Sequence, residues 1–78
     1  MDIKQGQYEI RISRHAFLRA FQRSIYPDVI ESTLKGGNVE EFGKSFIRLR
    51  KKFKRGSVIC IGEKISQDKI VIKTIEWG

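Results

Sequence analysis

Cysteine, histidine, proline and tryptophan each occur once in the 78 residues, and acids are scarce, with nine Asp and Glu against sixteen Lys and Arg. A single thiol, Cys60, excludes an internal disulfide, and its place in the apolar run Ser57–Ile61 reads as a small buried hydrophobe in a reducing, cytoplasmic setting. One histidine and one cysteine make no recognisable metal-ligand set, and the scattered acids lack calcium-loop spacing, so neither metal nor cofactor is expected. Gly36-Gly37 is a turn signal without the context of a phosphate loop. No apolar run approaches the roughly 18 residues that span a bilayer, and the amino terminus lacks the apolar core of a signal peptide, so no membrane partner is expected.

What is present is a 40% hydrophobic chain with its aliphatic residues in short runs, enough for one core and one domain over residues 1–78. The formal net charge of +7 is large for this length and points to a polyanionic partner, nucleic acid first. The competing reading is that excess Lys and Arg serve solubility alone.

Tyr8–Ile12 alternates apolar with polar and runs into Ser13, a good helix N-cap, predicting a strand followed by a helix from about Arg14 to Arg23. Ala16, Phe17, Ala20 and Phe21 form its expected core stripe. A second helix is expected from Pro27, with Asp28 at its positive end and Gly36-Gly37 as its stop. Strands follow over Val39–Phe42, Phe46–Phe53, Val58–Lys64 and Ile70–Trp77, the last two joined by a turn at Ser66-Gln67-Asp68-Lys69. The expected fold is α+β, ordered β-α-α-β-β-β-β, with two N-terminal helices packed on a mostly antiparallel four- to five-stranded sheet.

His15, Arg19 and Arg23 recur every four residues, advancing only roughly 40° per step around a helix, and so make one basic ridge turned from the core stripe, with Gln22 beside it. Cleavage of RNA through its 2′-hydroxyl needs proton transfer and cationic stabilisation of the phosphorane, and imidazole and guanidinium suit those tasks. The alternative is that His15 orders the strand-to-helix junction and the arginines pair with Asp28 or Glu31. A second cluster, Arg48, Arg50, Lys51, Lys52, Lys54 and Arg55, is the main RNA-binding candidate, with Arg48, Arg50 and Lys52 on one side of a strand and Ile47, Leu49 and Phe53 on the other. Its alternative is an edge strand guarded by lysines. Tyr8, Tyr26, Phe46 and Trp77 read mainly as packing residues, able to stack on bases where exposed.

The run Ile10–Arg19, followed by Arg23-Ser24-Ile25 and Val29, then Gly37, Val39 and Thr74-Ile75, resembles the proteins grouped as domain-of-unknown-function family 4258. In that family a strand precedes His-Ala, an Arg four residues on, Arg-Gly-Ile, a second helix and a β-meander; here Ser24 stands in place of the glycine. The resemblance implies a RelE-like, barnase-like ribonuclease-toxin fold and a metal-independent endoribonuclease site between the first helix and the sheet. On that basis His15, Arg19, Arg23 and Thr74 are the catalytic candidates, and an acidic antitoxin protein is the expected partner; Lys73, beside Thr74 on the last strand, is a further RNA-binding candidate. The alternatives are a non-catalytic RNA- or DNA-binding module and a basic protein-interaction domain.

Overall fold

The computed structural model describes residues 2–78. In chain order the elements are β1 (Asp2–Gln5), β2 (Tyr8–Ile12), α1 (Arg14–Gln22), α2 (Pro27–Gly36), β3 (Asn38–Phe42), β4 (Phe46–Phe53), β5 (Gly56–Lys64) and β6 (Lys69–Trp77). All six strands join one sheet in the order β1-β2-β6-β5-β4-β3, with β2 and β6 parallel and every other neighbouring pair antiparallel.

This corrects the expected architecture of two N-terminal helices on a mostly antiparallel sheet of four to five strands, and with it the RelE-like arrangement. The chain begins with a β-hairpin, the sheet has six strands, and it is mixed. The reason is local: β1 carries one buried aliphatic, Ile3, too little alternation to announce a strand. Gly6, at φ +59°, makes the two-residue turn with Gln7 that folds β1 onto β2 and sets Ile3 opposite Ile10.

Two terminal devices fix α1. At its start the Ser13 side chain accepts a hydrogen bond from the Ala16 backbone N–H at 3.1 Å. At its end Ser24 N–H donates to Phe21 C=O and Ile25 N–H to Ala20 C=O, at 3.1 and 2.8 Å, the paired bonds of a Schellman stop. That stop needs a left-handed residue, and Ser24 supplies it at φ +60°. The serine therefore keeps the conformation for which glycine is suited, at a steric cost of about 1–2 kcal/mol. Ser24→Gly should raise stability by about 0.5–1 kcal/mol, after the entropic penalty of glycine, with unchanged secondary structure. A denaturant melt in which the glycine variant is no more stable would contradict this.

Pro27 and Asp28 open α2 and Lys35 closes it, matching the helix dipole. α2 touches β1 on one side and β4 and β5 on the other, so the sheet curls around it. Ile30 and Leu34 of α2, Ala16 and Ala20 of α1, and Ile25 between them meet Ile10, Ile12, Leu49, Cys60, Ile72 and Ile75 in one core. Phe21, expected in that core, is 58% exposed and packs edge-on against Tyr26 at 5.3 Å. α1 seats only its two alanines deeply, because small side chains let it lie close to β6, while Phe17 is half-buried against the core and Phe21 turns outward.

Cys60 is wholly enclosed, and burial pushes its thiol up to about 12 from an ordinary 9.0. A buried neutral thiol is a poor nucleophile. Iodoacetamide at mildly alkaline pH should therefore label Cys60 only as fast as the domain unfolds; immediate labelling of the native protein would show that β5 opens locally.

Candidate functional site

β2 and β6 run side by side only up to Ile12 and Ile72, and Ser13 N–H extends the ladder by one bond to Ile72 C=O at 3.1 Å. There β2 turns into α1 while β6 continues, so the upper half of β6 has α1 as its neighbour instead of a strand. At the same level the β5–β6 register shifts: Gly62 pairs with Ile72 and Ile61 with Thr74, leaving Lys73 as the extra residue of a bulge. Bulges bend a strand and re-aim its side chains. The seam so formed holds a cleft of about 160 Å³ lined by His15, Ala16, Arg19 and Arg23 of α1 and its C-cap and by Lys73, Thr74 and Ile75 of β6.

His15, Arg19, Arg23, Lys73 and Thr74, the candidates named from the sequence, thus lie around one cleft although about 50 positions separate the two elements. His15 and Arg19 are exposed and Thr74 is half-buried. The first turn of α1 carries no acid, so its positive helix end and Arg14 add to the cationic character of the seam.

Arg23 has a structural duty. Its guanidinium donates from Nη1 to Ile75 C=O at 2.8 Å, and its own carbonyl accepts from Trp77 Nε1 at 2.7 Å. It therefore ties α1 to the β6 edge that β2 leaves open. Lys73 Nζ lies 3.0 Å from Glu63, an exposed pair of small energetic weight, so the ammonium is free to exchange that carboxylate for another anion.

The strand cluster divides. Arg48 is paired with Glu40 and lies over the Phe42 ring. Lys51 points to the helix side, donating to Ser32 Oγ of α2 at 2.7 Å, and Arg55 lies over Trp77 at 5.4 Å. Arg50, Lys52 and Lys54 are exposed with no acid within salt-bridge distance among the described residues. Alternation along β4 puts Arg48, Arg50 and Lys52 on the sheet face away from the helices.

Lys64 belongs to the framework: the Glu41 carboxylate, at 2.9 Å, and then the Tyr8 hydroxyl hold its ammonium above the ordinary value. A larger groove of about 540 Å³ lies at the β1–β2–β6 end, where Lys4, Arg11 and Lys69 are interleaved with Asp2 and Glu9. Its mixed charge gives a polyanion little purchase. Among the described residues no three of His, Cys, Asp and Glu gather as a metal-binding group, and no helix is long and apolar enough to cross a membrane.

The sequence reading missed Phe42, which is 40% exposed and stacked on Phe46 with ring centroids 5.6 Å apart. The signal was present: Gly43 begins a three-residue turn, and Phe42 and Phe46 flank it as opposed hairpin residues. No family model, curated protein or solved structure matches the chain.

Proposed function

We propose that this protein binds RNA and cleaves it at the seam between α1 and β6, without a metal. The observation that carries this is the convergence of the single histidine, two arginines, a bulge lysine and a threonine on one cleft. In the proposed reaction the 2′-oxygen attacks the adjacent phosphorus, His15 accepts the 2′ proton, and the bond from phosphorus to the 5′-oxygen breaks, with water supplying the leaving oxygen's proton. Arg19 holds the non-bridging oxygens and their growing charge, and the Lys73 ammonium adds to it. Thr74 contributes a hydroxyl that orients the phosphate, and Arg23 keeps the two sides of the cleft together.

The resemblance of His15-Ala16, Arg19 and Arg23 to family 4258 supports the same reading, and an acidic antitoxin segment is the protein partner that suits so cationic a seam. The test is cleavage of a mixed-sequence labelled RNA in EDTA by the wild type and by folded His15→Ala and Arg19→Ala variants. Discrete products that disappear in both variants are expected. Binding without products in any of the three would favour a non-catalytic RNA-binding module, a reading to which the exposed Arg50, Lys52 and Lys54 lend weight.

A further inference from the structure

Both helices lie on one face of the sheet, and among the described residues the other face has no element packed over its β3–β4–β5 part. Phe42 and Phe46 stand there stacked on each other, each 40% exposed and with ring planes nearly parallel at 20°, and the Arg48 guanidinium lies over the Phe42 ring, 5.8 Å from its centroid. Paired, partly exposed phenylalanines at a free edge leave apolar ring surface in water that a stacking partner would cover. The same face of β4 continues as Arg48, Arg50 and Lys52. Alternate residues of a strand are roughly 6.7 Å apart, a spacing suited to successive phosphates of an extended single strand.

The register connects this face to the cleft. Arg48 pairs with Ile61 and Ile61 with Thr74, so the cross-strand row that begins beside the phenylalanines ends at a cleft residue. Two strand spacings, roughly 10 Å, separate its ends.

We infer that Phe42 and Phe46 form a base-stacking platform for single-stranded RNA, with Arg50 and Lys52 on its phosphates, that holds nucleotides flanking the one seated in the α1–β6 cleft. The inference rests on the proposal that the protein binds RNA. Aromatic faces accept any base, but only an unpaired one, so the platform selects single strands over duplexes without reading sequence.

The experiment is fluorescence-anisotropy binding, at low salt, of a labelled single-stranded RNA and of an abasic strand with the same number of phosphates. The wild type is compared with Phe42→Leu/Phe46→Leu and with Phe42→Tyr/Phe46→Tyr, which keeps the rings should the leucine pair fail to fold. The leucine pair should bind base-bearing RNA about 5- to 100-fold more weakly and the abasic strand unchanged, while the tyrosine pair binds like wild type. Equal affinity of wild type and leucine variant for base-bearing RNA, or an equal loss on both strands, overturns the platform while leaving RNA binding intact. Failure of the wild type to bind either strand overturns the RNA reading itself. A wild-type dimer that the leucine pair makes monomeric would give the aromatic pair to a second copy of the chain and also overturns the platform.

Discussion

His15→Ala should lower RNA cleavage by about 10²- to 10⁴-fold, the usual share of one positioned proton carrier, while leaving RNA affinity within about twofold. His15 is exposed in the first turn of α1 and has no hydrogen-bond partner among the described residues, so its removal leaves no buried group unsatisfied. Folding should change by less than about 0.5 kcal/mol. Arg19→Ala should behave differently, weakening both binding and turnover, because a guanidinium that grips the phosphate in the ground state also holds it as charge grows. Single-turnover cleavage with saturating protein makes the comparison, since it separates the chemical step from binding. If His15→Ala cleaves at the wild-type rate, the histidine has no part in the reaction.

Arg23→Ala should instead be a stability variant, losing about 2 kcal/mol, or roughly 10 °C in Tm for a domain of this size. The substitution strands Ile75 C=O on the one stretch of β6 that has a helix for a neighbour, where no strand can take over the bond. It also removes one of the two hydrogen bonds that tie the end of α1 to the β6 edge, leaving the Trp77 Nε1 bond to the carbonyl of residue 23. Loss of cleavage in Arg23→Ala is therefore expected even where Arg23 never touches the phosphate. Thermal melts of the Ala and Lys variants decide the matter: wild-type stability in Arg23→Ala would contradict the clamp and return Arg23 to a purely phosphate-binding role.

The place of Arg23 in the candidate site and its contact with Ile75 differ in how far the sequence discloses them. The four-residue spacing of His15, Arg19 and Arg23 is visible because helical periodicity is local, and so are Ser13 as a cap and Pro27 as a helix start. What spacing does not carry is the other half of each contact. That Arg23 reaches Ile75 depends on where β2 ends against β6, a pairing between distant segments. The bulge at Lys73 likewise arises from the β5–β6 register and leaves no mark in the alternation of Ile70, Ile72 and Ile75 beyond one change of phase. That change of phase, three residues between Ile72 and Ile75 where two would continue the strand, is the readable trace of the bulge.

The sheet itself was underestimated for a related reason. β1 is short and has one aliphatic, so its stability comes from pairing with β2 and contact with α2, neither of which a four-residue window contains. Ser24 shows the converse: at a position suited to glycine, the serine keeps the left-handed turn because the Schellman bonds on either side impose it.

The central claim, that the α1–β6 seam cleaves RNA through its own 2′-hydroxyl, is tested most directly with an oligodeoxynucleotide carrying a single ribose, incubated with the wild-type protein in EDTA. One cut on the 3′ side of that ribose, giving an end with a 2′,3′-cyclic phosphate, is the predicted result. An intact oligonucleotide under conditions where all-RNA is also intact, or cuts scattered among the deoxyriboses, would contradict it.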